Sequence, residues 1–189
     1  MSLTDVDWSE LPQPEADGAA AHLTGMSLPS LSLPATGGGS VAPDELEGLT
    51  LIYVYPMTGR PDRALPDGWD MLPGARGCTP QSGAFRDQFS DLRAIGVDHL
   101  FGVSTQTTEE QAEAATRLHL PFTLLSDAQL AFGDALALPR FEVEGRTCLK
   151  RLTLMAEGGR ILRVHYPVFP PDADAGRVID WLSMRSASS

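Results

Sequence analysis

Leu49-Thr-Leu-Ile-Tyr-Val-Tyr-Pro56, then 20 residues rich in turn formers, then Gly77-Cys-Thr-Pro-Gln81: this stretch decides the fold. Leu49 to Tyr55 is an unbroken run of β-branched, aromatic and aliphatic residues, the pattern of a strand buried on both faces. Pro56 cannot extend the ladder and halts it. Residues 57–77 carry three Pro and four Gly, and a loop of that length within a compact domain is usually functional. It delivers the chain to Cys78. Beyond, Phe85, Phe89 and Leu92 repeat at i, i+4 and i+7, which predicts one helix with a single apolar stripe. Pro80 suits its first turn and Gly96 lies past its end. The unit is strand, long loop, helix, with a cysteine at the helix entrance.

Further along, Val97 to Ser104 predicts a second buried strand, and Thr107 with Glu110 a capping box for a helix to about Leu118. Phe122 to Leu125 predicts a short strand and residues 128–137 a short helix. Arg146 to Met155 and Arg160 to Tyr166 flank Glu157-Gly158-Gly159, a hairpin with a Gly-rich turn. Val178, Trp181 and Leu182 give an apolar face to a closing helix that starts near Asp172 or Asp174. Toward the N-terminus, alternation from Met26 to Leu33 before Thr36-Gly37-Gly38-Gly39 predicts a small hairpin. Residues 1–20 form an acidic tail with Trp8 and Leu11 as anchors, ahead of one domain over residues 21–189. Strands alternating with helices, then a late hairpin, define an α/β fold with a mixed central sheet flanked by helices.

The chain has 189 residues, 42% of them hydrophobic, with 14 Lys and Arg against 25 Asp and Glu, a formal charge of −11. A field of that sign repels phosphate backbones and anionic lipid, so neither nucleic acid nor a membrane surface is expected as partner. The first residues lack the basic and apolar regions of a secretory signal, and the most apolar stretch, Leu49 to Met57, is too short to span a bilayer. Two cysteines, Cys78 and Cys148, are no disulfide framework; a reducing, cytoplasmic compartment is expected.

At a helix N-terminus, unpaired N–H groups and the helix dipole favour an anion. Such a setting lowers a thiol from about 8.5 to roughly 3.5–7.5 and makes it a nucleophile. Position alone leaves a second reading open, a small buried hydrophobe. His22, His99, His119 and His165 show no ligand spacing, so no metal or other cofactor is assigned. Gly37 to Gly39 precede no phosphate-binding unit. Ser104, Ser126 and Thr153 have no His and Asp at a spacing that suggests hydrolase chemistry.

Leu51-Ile-Tyr-Val-Tyr-Pro56, Gly77-Cys-Thr-Pro-Gln81 and Phe85-Arg-Asp87 resemble the active-site segment of peroxiredoxins, most closely the Q type, or bacterioferritin comigratory proteins. Gly102-Val-Ser104, Pro121-Phe-Thr-Leu-Leu-Ser-Asp127 and Arg151-Leu-Thr-Leu154 continue the match over roughly residues 23–183. The resemblance implies a thioredoxin-like fold with an N-terminal β-hairpin. It implies a thiol peroxidase that reduces hydrogen peroxide or organic hydroperoxides, with Cys78 as peroxidatic cysteine and Arg151 beside its thiolate. Pro56, Thr79 and Gln81 would line the pocket; Gln81 stands where Q-type members usually have Glu. Arg86 and Asp87 read as a structural pair. Two departures stand out. Ala75 occupies the place of the usual Thr or Ser, leaving Thr58 or Thr79 to supply a hydroxyl. Gly83 occupies the usual resolving-cysteine position, which leaves Cys148, three residues before Arg151 and on the opposite face if both share a strand. A one-cysteine mechanism with an external thiol reductant (a thioredoxin-like protein or a small thiol) in a monomer or weak dimer is expected. A two-cysteine enzyme resolved by Cys148 and a non-catalytic redox-sensing module are the alternatives. A thiol–disulfide oxidoreductase would want a second sulfur in Cys78-Thr-Pro-Gln81.

Overall fold

The structure is a computed structural model and describes residues 6–188. Two short strands, β1 (Leu33–Pro34) and β2 (Ser40–Val41), pair antiparallel as a hairpin. It is shorter than expected: residues 26–32 are irregular, and only Ser27 bridges the main sheet, at Arg160. β3 (Leu49–Val54) is buried throughout. After the long loop come α1 (Cys78–Asp87), α2 (Phe89–Ala94), β4 (Val97–Ser104) and α3 (Thr108–Arg117). The Thr107–Glu110 capping box opens α3. β5 (Thr123–Ser126), α4 (Ala131–Ala135), β6 (Arg140–Val143), β7 (Arg146–Leu149), β8 (Leu152–Glu157), β9 (Arg160–His165) and α5 (Asp174–Ala187) complete the chain.

The main sheet has the order β5-β4-β3-β8-β9, parallel across β3, β4 and β5 and antiparallel across β3, β8 and β9. Alternation along β3 divides the core in two. Ile52 and Val54 point into a cluster with Phe101, Phe132 and Leu154; Leu49, Leu51, Tyr53 and Tyr55 point into another with Phe85, Leu92, Val178 and Leu182. α1, α2 and α5 therefore cover the second face, with Cys78 in its cluster. Among the described residues no helix is long and apolar enough to cross a membrane.

Three expectations need correction. The helix carrying Phe85, Phe89 and Leu92 breaks at Gln88. The break keeps Phe85 and Leu92 fully buried against a twisted sheet from which a straight helix would diverge, while Phe89 packs at its margin on Phe122. The helix expected over 128–137 is one short turn-and-a-half, because the Asp127 carboxylate caps it later, accepting from the N–H groups of Phe132 and Gly133. Residues 146–155 are two strands, not one. β7 pairs with the unforeseen β6 in a separate hairpin, and the chain crosses to the main sheet at Lys150 and Arg151, where Lys150 N donates to Pro139 O. Alternation therefore does not carry from Cys148 to Arg151.

Candidate active site

Cys78 is the first residue of α1, and Gly77 before it has φ +115°. A Cβ at Gly77 would lie 2.5 Å from Pro171 Cγ and 2.9 Å from Trp8 Cη2, so the turn that presents Cys78 requires glycine. Tyr53 fixes the helix on the sheet: its ring stacks on Phe85 at 4.6 Å and its hydroxyl bonds Ser82 Oγ at 3.0 Å. Gly102 makes room for that ring, since a Cβ there would meet Tyr53 Cζ at 2.7 Å. Burial pushes the Tyr53 phenol well above its ordinary range, so it stays a neutral prop.

Arg151 is 3% exposed and reaches the cysteine from the β7–β8 crossover. Its Nη2 lies 3.3 Å from Cys78 Sγ and also faces the carbonyls of Gly74, Ala75 and Arg76 at 3.2–3.3 Å. Its Nη1 donates to Gln81 Oε1, while Nε is buried with no partner among the described residues. Behind Gln81 stands Asp174, fully buried. Its Oδ2 accepts from Gln81 Nε2 at 2.9 Å and from Thr153 Oγ1 at 2.6 Å, and its Oδ1 meets His165 Nδ1 at 2.7 Å.

Thr79 lines a cleft of about 440 Å³ together with Cys78, Met57, Trp69, Arg60 and Arg76. Gln81, expected at the pocket mouth, is instead fully buried behind Cys78, because both ends of its amide are engaged by Arg151 and Asp174. Pro56, buried two residues past the end of β3, does not line the cleft, because it is still packed in the interior where the chain leaves the sheet. Ala75 contributes its carbonyl, which accepts from Cys78 Sγ at 3.7 Å. Of the two candidate hydroxyls, Thr58 is committed to Gln106 and lies on a neighbouring cleft. Arg86 and Asp87 pair at 2.9 Å on the helix surface. Gly83 sits inside α1. Cys148 is buried with Trp69, Ala75 and Val143, and burial pushes its thiol up to about 11, against the pull of Arg146.

Sequence reasoning passed over Asp174, His165 and Thr153. Asp174 read only as a helix start, and its partners lie 93, 21 and 9 residues away. Thr153 does have an Asp partner and a His nearby, but both bond to Asp174 rather than to each other, and the hydroxyl is fully buried. That is a structural cluster, not a nucleophile with its base.

A cysteine at a helix N-terminus, with a buried guanidinium against its sulfur, on a mixed sheet flanked by helices, defines a thioredoxin-fold thiol protein. The chain belongs to the Redoxin family, which matches residues 23–179. Within that family its resemblance is to the Q-type peroxiredoxins. It is 35% identical over 100 residues to peroxiredoxin Bcp of Escherichia coli (strain K12), covering 52% of this chain and 54% of that one. It is 30% identical over 104 residues to the chloroplastic peroxiredoxin Q of Sedum lineare, covering 54% and 47%. The match thus spans about half the length of these curated relatives. The crystal structure of peroxidoxin BcpB from Mycobacterium tuberculosis shares the fold, with TM-score 0.69 and 23% identity over 85% of this chain and 96% of that one.

Proposed function

We propose that the chain is a thiol-dependent peroxidase in which Cys78 is the single essential cysteine. The carrying observation is Arg151 Nη2 at 3.3 Å from Cys78 Sγ. A fixed guanidinium there stabilises the thiolate and the negative charge that develops on the departing oxygen. The thiolate attacks the terminal oxygen of hydrogen peroxide or an organic hydroperoxide. The S–O bond forms as the O–O bond breaks; the sulfur loses two electrons, and the leaving oxygen takes a proton to depart as water or an alcohol. Thr79, on the cleft beside Cys78, is the hydroxyl best placed to bond the incoming peroxide.

The sulfenic acid is then reduced from outside. An external thiol condenses with it, releasing water, and a second thiol frees Cys78 from the mixed disulfide. Gly83 at the usual resolving position and the buried, protonated Cys148 support this one-cysteine route. A thioredoxin-like protein or a small thiol supplies the electrons. The test is stopped-flow peroxide decay: Cys78→Ser abolishes consumption and Cys148→Ser keeps most of the first-turnover rate. Equal loss in both variants removes the single-cysteine assignment.

A further inference from the structure

We propose that Asp174 is a positioning residue that orients Gln81 and, through it, holds Arg151 against Cys78. Its catalytic meaning rests on the peroxidase reading above; the orientation itself does not. A carboxylate with no exposure is costly to bury unless both its oxygens are hydrogen-bonded. Asp174 accepts at Oδ2 from Gln81 and Thr153 and at Oδ1 from His165. His165 can only donate to it. Arg177 Nη1 lies 3.2 Å from His165 Nε2, and a guanidinium has no acceptor, so Nε2 receives and the proton sits on Nδ1, facing Asp174.

The same reasoning fixes Gln81. An amide offers an oxygen at one end and an NH₂ at the other. A carboxylate only accepts, so Nε2 must face Asp174, and Oε1 is left for Arg151. The amide cannot turn over without setting NH₂ against guanidinium at one end and oxygen against carboxylate at the other. A buried negative charge on α5 therefore acts on Arg151 from the side away from the sulfur, relayed by a neutral side chain on α1, and low local dielectric strengthens each bond in the series. Without the charge on Asp174, both orientations of Gln81 become accessible. In the reversed one, its NH₂ displaces Arg151 from the sulfur.

The test moves the charge along the relay in the full chain carrying Cys148→Ser. The variants are Asp174→Asn, Gln81→Glu and Gln81→Glu/Asp174→Asn, read by the rate of Cys78 alkylation with iodoacetamide at pH 7 and by thermal unfolding. Asp174→Asn slows alkylation by about tenfold or more, as loss of a preorganised donor at an anionic centre should. Gln81→Glu alone sets two carboxylates face to face and is also impaired. The double variant returns the carboxylate to the relay and recovers the rate to within about threefold. A double variant no better than the worse single one, or Asp174→Asn within about twofold of its parent, overturns the proposal. If Asp174→Asn does not fold, Gln81→Met removes the relay while leaving Asp174 its other two partners, and it must show the same loss. Alkylation needs no peroxide, so rescue in a chain that fails to consume peroxide would sink the peroxidase reading alone.

Discussion

Cys78 and Cys148 are both buried, but only Cys78 has a guanidinium nitrogen at hydrogen-bonding distance. Cys148, held up to about 11 chiefly by burial, has on the order of 0.1% thiolate at pH 8. Iodoacetamide at pH 8 is expected to label Cys78 and leave Cys148 unmodified, with Cys148 labelling rising about tenfold per pH unit as the thiolate appears. The folded thiol lies above its ordinary value of 9.0, so its contribution to stability is full below about pH 9 and is lost as pH rises through about 11. Cys148→Ala should flatten the alkaline side of a stability profile over that window. Arg151→Met should slow the first reaction with peroxide by about 10²–10³, because it removes a preorganised donor from a site where charge develops. Stopped-flow decay at fixed pH measures it, and an unchanged rate would mean that another group stabilises the leaving oxygen.

At the scale of the element, α1 is the part under tension between fold and chemistry. Gly83 has ordinary helical space around it, the nearest atom to an added Cβ being Arg86 Nη2 at 3.6 Å. Gly83→Ala should therefore stabilise by about 0.5–1 kcal/mol, measured by denaturant unfolding. Gly83→Cys behaves differently. On a wound helix, positions 78 and 83 are separated by roughly 7.5 Å along the axis, too far for a disulfide with Cβ vectors that diverge. Ser82 and Gln81 tie those turns to Tyr53 and Asp174. Oxidised Gly83→Cys should lose two hydrogens within one chain and lose helix signal together. The unaltered chain should keep its helix and pass to sulfinic acid under excess peroxide. Mass spectrometry after graded peroxide separates the two, and a clean internal disulfide in the unaltered chain would make Cys148 the resolving partner.

Across the whole molecule, the segment ahead of the Redoxin match crosses the mouth of the site. Val6 lines the cleft of Cys78, and Trp8 packs edge-on against Phe169 while its Nε1 donates to Asp172 at 3.2 Å. Asp17 accepts from the Tyr166 hydroxyl at 2.9 Å and faces Lys150 at 3.4 Å. The expected anchor Trp8 thus holds the tail across α1 and the turn before α5. Trp8→Ala should lower stability by about 1 kcal/mol through the lost aromatic contact and speed alkylation of Cys78 as the strap loosens. A rate equal to that of the parent would show that the strap does not limit access.

What the sequence determined by itself was local. β3 follows from an apolar run closed by Pro56, β4 from the run Val97 to Ser104, α3 from the Thr107 and Glu110 capping box, and Cys78 at a helix start from the loop before it and Pro80 after it; each signal is complete within a few residues. Periodicity also overreached where it was extended too far, joining α1 to α2 and β7 to β8, because it carries no information on where a packed sheet forces a break. Beyond Cys78, the family resemblance named Arg151, but its contact with the sulfur and the whole relay through Gln81 to Asp174 were decided by tertiary structure. Arg151 lies 73 residues from Cys78, and Asp174 lies 93 from Gln81. They meet because α1 and α5 pack on the same face of the sheet, and because the crossover at Lys150 and Arg151 turns one side chain beneath the helix. Burial then imposes what no pattern in the chain records: a buried carboxylate and a buried guanidinium each need a partner, and those partners set which way Gln81 faces.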